Sequence, residues 1–453
     1  MLLLLGACAP SGGEQPSPPP RLVLFLVDTL RADRLTPYGH DRPTSPNLER
    51  LVARGAVFDQ AWSPAPWTLP ATASLLTGVD PDRHGAGLHG SWRDLASQVP
   101  DGLAADVPTL AERLGDEGWR CEAFVTNPFV GFGLERGFES FTLRQTEAAE
   151  VLDWTLERLD VPGDERPTFL LAHLIDCHDP LLIPDEFVLD ARPPGDRLPV
   201  PDISNRTFST LAMTPEHRAA RLRLYDGAVR YVDAQLGRLL DSLEADGSID
   251  DTYLVFTSDH GEEVFESAAL ARGAGYVQPE TVRPLGHGHT LFEEVLRVPL
   301  VIAGPGVEAR GLHVPGAVAT HDLVPTLLEL LGVDHDPAEL DARSLVGTLR
   351  GEHADARAVV SRGIAFGRDR SALLRDGWSL VRGGEGEATV LLRVGDPEHL
   401  DRSAEEPDRL LELGADLDAL NSLAQSRRGS ATQIDPAQRA RLRALGYLDR
   451  DQE

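Results

Sequence analysis

The chain predicts an α/β fold: a mostly parallel sheet sandwiched by helices, followed by a smaller α+β unit. Three observations carry this. Apolar runs rich in β-formers recur at Leu22–Val27, Phe169–Leu174 and Leu254–Ser258, and their continuity marks strands buried on both faces. Segments with helical spacing lie between them, and repeated β-then-α order builds a parallel sheet covered by helices. Two of the runs end in carboxylates, Asp28 and Asp259, the latter followed by His260. In open α/β sheets ligands gather at the carboxyl edge of the strands, so Asp28, Asp259 and His260 fall on one rim and suggest a bound cation.

In chain order, Leu5-Gly6-Ala7-Cys8 follows a run of leucines. Small residues before a Cys at the end of a short apolar segment resemble a bacterial lipoprotein signal, which implies a lipid on Cys8 and a membrane-anchored, periplasmic or outer-membrane-facing place in the cell envelope. The Pro-, Ser- and Gly-rich stretch to Pro20 reads as a flexible tether. Ser45-Pro46 opens a helix carrying Leu48, Leu51 and Val52, with a polar residue before Pro at the first turn. Val107-Pro108-Thr109 opens another, closed by Gly118 ahead of a strand around Cys121–Val125. A long amphipathic helix spans about 218–246, with Leu222, Tyr225, Val229, Val232, Leu236, Leu239 and Leu240 near helical spacing. It feeds the strand ending at Asp259. A further strand at Val298–Ala303 and a helix from about Asp322 to Leu331 complete a catalytic-type domain over 21–340. After about Asp341 short strands and Arg-Asp-Gly turns mark a small C-terminal subdomain over 341–453.

The 453 residues can bury a large core. A formal charge of −29 argues against nucleic acid as a partner, because that binding rests on neutralising phosphates. No Lys occurs, so every fixed cation is an Arg and Lys-dependent chemistry is excluded. Cys8, Cys121 and Cys177 make neither a disulfide framework nor a Cys-rich zinc site.

Thr68 lies in Trp67-Thr68-Leu69-Pro70, which precedes the small-residue helix expected over Ala71–Thr77, closed by Gly78. A hydroxyl there meets unsatisfied N–H groups that favour an anionic phosphoryl or sulfuryl group, so it reads either as a nucleophile or as an N-cap. His173, Asp176 and His178 follow the third strand, and His287 and His289 flank Gly288. A His in such a setting can donate to a substrate oxygen or bind metal. His84, before Gly85, reads as a substrate contact or a support behind one.

Val27-Asp28-Thr29-Leu30-Arg31-Ala32-Asp33, Pro43-Thr44-Ser45-Pro46-Asn47-Leu48, Ser74-Leu75-Leu76-Thr77-Gly78, His84-Gly85, Thr257-Ser258-Asp259-His260-Gly261-Glu262 and Arg297-Val298-Pro299-Leu300 occur in order. Together they resemble the sulfatase branch of the alkaline phosphatase superfamily, from about Arg21 to Gly332. The resemblance implies Asp28, Asp259 and His260 as metal ligands, Thr68 as nucleophile, and His178 at the leaving group or transferred anion. It implies one divalent ion, Ca, Mg, Mn or Zn, with a second possible on Asp176, His178 and His287 or His289. Of these, Asp176 joins the metal set and His289 the catalytic one, while His84, His173 and His287 are expected to bind substrate.

The departures are informative. Formylglycine-type sulfatases carry Cys or Ser, any residue, Pro and a small residue before Arg, where this chain has Thr68, Leu69, Pro70, Ala71 and Thr72. Where the family has a Gly-Lys pair, this chain has Thr126-Asn127, and Asn127 is placed in the catalytic set. The resemblance therefore points to the Thr-using relatives, which include phosphodiesterases, phosphomonoesterases and phosphoethanolamine or glycerophosphate transferases, and implies a metal-dependent hydrolase or transferase acting on phosphate or sulfate esters. The competing expectations are a formylglycine-independent sulfuric ester hydrolase and a catalytically silent protein that binds anionic glycans or lipid head groups at the envelope.

Overall fold

The computed structural model describes residues 20–181, 183–188, 214–276, 285–352, 357–424, 427–445 and 447–448. Cys8 with its tether, and most of the 181–213 loop in which substrate selection is expected, lie outside them. Among the described residues no helix is long and apolar enough to cross a membrane.

The apolar runs do form strands of one sheet. Arg21–Val27 lies at its centre, flanked in parallel by Thr168–Leu174 and Thr252–Ser258. Beyond the first neighbour come Arg120–Val125 and Ser140–Leu143, both parallel. On the other side the predicted 298–303 strand departs from expectation in direction. Pro299 has no N–H to donate, and the segment is split into Arg297–Val298 and Leu300–Ala303, which run antiparallel between Thr252–Ser258 and Gly55–Trp62. Leu312–Ala319 closes that edge, parallel to Gly55–Trp62.

Side chains of the central strand alternate between two cores, as the two-residue period of a strand requires. Leu22, Leu24 and Leu26 face Leu69, Leu75 and Leu76 of the Thr68–Thr77 helix. Val23, Phe25 and Val27 face the long Pro215–Ala245 helix through Val229, Val232 and Leu236. That helix is capped by Thr214, whose hydroxyl accepts from the His217 N–H. The second predicted helix is Leu110–Asp116, begun by a reciprocal Thr109–Glu112 box.

The small C-terminal unit is a four-stranded antiparallel sheet, Val359–Arg362, Ser371–Arg375, Trp378–Arg382 and Val390–Arg393. One face, with Ala372, Leu374 and Val381, packs on Tyr276, Phe292 and Leu296; the other, with Leu373, Leu380 and Leu391, receives Leu413 and Leu417 of the Pro407–Leu423 helix. Leu345 and Leu349 belong to the main core instead, so the change of architecture comes nearer Val359 than Asp341. The chain then returns to the large domain through Arg427–Ser430 and the Pro436–Ala444 helix.

Candidate metal centre and active site

Parallel register fixes the rim. Val27 pairs with Leu174 on one side and Ser258 on the other, so Asp28 and Asp259 emerge side by side one residue later. The turn after Asp28 is held tightly. Thr29 has φ 60, the left-handed region a β-branched side chain rarely enters. Its carbonyl accepts from the Tyr225 hydroxyl of the long helix at 2.5 Å, and its own hydroxyl donates to Asp28 O at 2.7 Å. On the neighbouring strand end, a side chain at Gly261 would place its Cβ 2.1 Å from Glu294 O, so glycine is required for that close approach.

One ligand atom from each of Asp28, Asp259 and His260 lies within 4.8 Å of the others, and all three residues are 0% exposed. His260 Nδ1 is 2.9 Å from Gly261 O. A carbonyl only accepts, so the proton sits on Nδ1 and the Nε2 lone pair faces the carboxylates, 3.5 Å from Asp28 Oδ1 and 3.5 Å from Asp259 Oδ2. Asp28 Oδ1 has no hydrogen-bond partner among the described residues. Burial and the Asp28 charge hold the Asp259 carboxyl well above its ordinary range. Burial opposes ionisation of Asp28 too, but His178, His260, His173 and the Asn127 amide keep it below its ordinary range. Two buried carboxylates driven apart, an orphaned oxygen and an imidazole in the ligating tautomer fit a hard or borderline divalent cation.

Thr68 sits over this group. It is the first residue of its helix, and the N-cap is Trp67, so the capping alternative does not describe it. Its Oγ1 is 3.3 Å from His260 Nε2 and accepts from Asn127 Nδ2 at 3.1 Å. The same amide donates to Asp28 Oδ2 at 2.7 Å, while its Oδ1 accepts from the Phe129 N–H at 3.0 Å, which fixes which end faces Thr68. Asn127 thereby joins the Thr68 hydroxyl to the Asp28 carboxylate. Thr72, at the position of the family's Arg, donates to Asp259 Oδ2 at 3.4 Å.

The histidines divide. His287 lies tilted against His260 and edge-on to His178, at ring-centroid distances of 4.4 and 5.0 Å. Burial holds both His178 and His287 below the ordinary imidazole range. His289 turns away, with Nε2 3.4 Å from Glu263 and Nδ1 3.3 Å from His287 O. It backs the loop rather than facing Thr68. His173 lies beneath the rim, its Nδ1 3.1 Å from Thr126 Oγ1 and its pKa pushed down to about 4 by burial.

Two further expected site residues, Asp176 and His84, are elsewhere. Asp176 accepts from the Ala148 N–H at 3.1 Å, at the start of the Ala148–Leu159 helix, and burial pushes its carboxyl up to about 7. The residue anchors a helix instead of joining the Asp28–Asp259–His260 group, and the described residues hold that one group able to bind a metal ion. His84 braces the back of the Thr68 helix. Its Nδ1 accepts from the Ala86 N–H, and its Nε2 lies 3.0 Å from Ser74 Oγ and 3.2 Å from Pro70 O. Both nitrogens are engaged, which leaves none for substrate.

Tyr447, which carried no signal in the sequence, completes the cluster. Its hydroxyl is 2.8 Å from His178 Nε2 and 3.0 Å from His287 Nε2. One hydroxyl proton serves one imidazole, so the other must present an N–H; the pair offers both an acceptor and a donor.

The family model described as Sulfatase matches residues 20–333. A sulfatase of Formosa agariphila is 25% identical over 442 residues, covering 83% of this chain and 82% of that protein. The choline-sulfatase of Rhizobium meliloti is 24% identical, over 91% and 84% respectively. Among solved structures, the phosphonate monoester hydrolase from Silicibacter pomeroyi has the same fold, with a TM-score of 0.71 at 20% identity over 92% of this chain and 98% of that one.

Proposed function

Since the chain belongs to the sulfatase family of ester hydrolases, a membership carried by the match over residues 20–333, we propose that it is a metal-dependent hydrolase of sulfate or phosphate esters with Thr68 as its nucleophile. The observation that carries the reading is the placement of Thr68 Oγ1 between Asn127 Nδ2 and His260 Nε2, directly over the Asp28–Asp259 pair. The names of the relatives, a choline-sulfatase and a phosphonate monoester hydrolase, span the two ester chemistries.

Asp28, Asp259 and His260 would hold the ion, which when bound supplies positive charge to the nucleophile and to the transferred anion. The chain's own groups do the rest. Thr68 Oγ1 gives its proton to water and attacks the phosphorus or sulfur, and a bond to Oγ1 forms as the bond to the alcohol oxygen breaks. The departing oxygen takes the proton of the imidazole N–H it faces, and water later displaces the Thr68 ester as that imidazole regains a proton. The Asn127 amide, already donating to Oγ1, strengthens its bond as that oxygen gains charge. His178 and His287 face the departing oxygen, and whichever presents its N–H stabilises it there.

The charge balance supports esters carrying one negative charge, sulfate monoesters and phosphodiesters, over dianionic phosphate monoesters. No Lys exists, and Arg221, whose charge reaches His178, is paired with Asp179. Turnover of an ester panel by metal-stripped and metal-restored protein tests this. Activity should return only with metal, and Asp259→Asn should lose both metal content and turnover. Enzyme quenched during turnover should carry the transferred group on the Thr68 peptide. Wild-type metal content in Asp259→Asn, or full activity after stripping, sinks the reading.

A further inference from the structure

Tyr447 lies on the last described turn, far in sequence from the residues it touches, and two contacts bring it there. Gly429 and Ser430 pair with the large domain, the Gly429 N–H donating to Gly85 O and the Ser430 N–H to Gly102 O, while the Gly102 N–H returns to Ser430 O. The seat is cut for glycine: a Cβ on Gly429 would lie 1.9 Å from Gly102 O, and one on Gly85 would lie 2.5 Å from Gly429 N. The Arg427 guanidinium bonds both oxygens of Asp106 at 3.0 Å. From this anchor the Pro436–Ala444 helix crosses the surface, burying only Leu442. It then delivers the Tyr447 ring edge-on to Phe129, with centroids 4.9 Å apart.

The hydroxyl so delivered has Thr68, Asn127, His178 and His287 as its neighbours. Under the reading above, these are the groups that an ester's reacting centre and departing oxygen must meet. A departing alcohol oxygen cannot reach His178 and His287 while the Tyr447 hydroxyl lies 2.8 and 3.0 Å from their Nε2 atoms. Thr68 is also fully buried, so no ester reaches it until some covering group moves. A phenol whose oxygen rests between two imidazoles is chemically the alcohol product of aryl ester cleavage.

We propose that Tyr447 is a tethered occupant of the alcohol subsite, and that the C-terminal tail beyond the Gly429 seat withdraws before an anionic ester reaches Thr68. The proposal rests on the ester-hydrolase reading for the identity of the incoming ligand. A positioning role, in which Tyr447 stays and donates to the bound anion, is the contrary outcome. An occupant lowers apparent affinity by the fraction of molecules that are open, so a tail open about one tenth of the time weakens binding about tenfold.

The test is calorimetric titration of the metal-loaded protein with inorganic sulfate and with inorganic phosphate, for wild type, Tyr447→Phe and Tyr447→Ala. At least one anion should bind Tyr447→Ala about tenfold or more tightly than wild type, with Tyr447→Phe between them, because it keeps the ring and loses both imidazole bonds. Trypsin cleavage at Arg439, which is exposed, should quicken in Tyr447→Ala without ligand and in wild type on saturation with the anion. Equal or weaker binding in both variants, or trypsin rates indifferent to variant and anion, overturns the proposal. If none of the three proteins binds either anion the ester reading fails. The ligand-free trypsin comparison then still decides whether Tyr447 holds the tail down.

Discussion

The two halves of the site are built by different means. The half that holds Thr68 rests on strand ends and on a helix buried along its whole length, and its geometry follows from sheet register. The half that holds His178, His287 and Tyr447 comes from loops and a returning tail, with 269 residues separating His178 from Tyr447. The first is fixed by backbone pairing that costs a great deal to undo. The second is held by side-chain contacts that can open singly, and lids and binding loops are drawn from such weakly held parts. Under the proposed function, bond making falls to the rigid half, and entry and departure of the alcohol to the loose one.

Substitutions can break or sharpen that contrast. In the rigid half, Thr68→Ala should lose at least about two to three orders of magnitude in turnover, the scale of an essential catalytic group. Its metal content should stay at the wild-type level, because Thr68 is not among the three ligating side chains. Full activity in this variant would return Thr68 to a structural role.

Asn127→Ala removes the link between Thr68 and Asp28 and leaves both in place. Turnover or metal affinity should fall about 10–100-fold, the usual effect of deleting a group that orients a metal ligand. A fall no larger than that of an exposed control substitution would show that the strand ends hold their geometry unaided.

Asp176→Asn probes a residue beside the loose half that belongs to neither set, and its effect should be on stability alone. The Asp176 carboxyl is pushed up to about 7 from an ordinary 3.8 by burial. The folded state therefore binds the proton more tightly than the unfolded chain. The associated stability is fully present below about pH 4 and is lost as pH rises through 7. Asn keeps an oxygen for the Ala148 N–H and never ionises, so the variant should melt higher at pH 8. The gain is on the order of 2–4 kcal/mol and should vanish near pH 4. Changed metal content in Asp176→Asn would bring the residue back to the metal centre.

How much of this was legible in the residues follows the same division. Asp28, Asp259, His260 and Thr68 could be read because each ends or begins a regular element, where periodicity and register place side chains without knowledge of distant contacts. Asp176 shows the limit of that logic. Two residues past a strand, the chain has already turned, and the carboxylate meets a helix N–H rather than the rim. His287 and His289 differ by one intervening glycine at φ 80, and no periodicity says which of them faces inward. Tyr447 was illegible because its placement depends on the Gly429 seat, a close approach of two backbones with no local pattern.

The Phe129 N–H that grips Asn127 Oδ1 has a consequence for the cost of charge development. Water answering a new negative charge must first turn its dipoles, and that turning is part of an uncatalysed barrier. The Asn127 amide has already been turned, during folding, and the grip forbids the flip that would present its oxygen to Thr68. The dipole therefore meets the charge on Oγ1 with no reorganisation left to perform, and the work was done once, when the chain folded, instead of at every turnover.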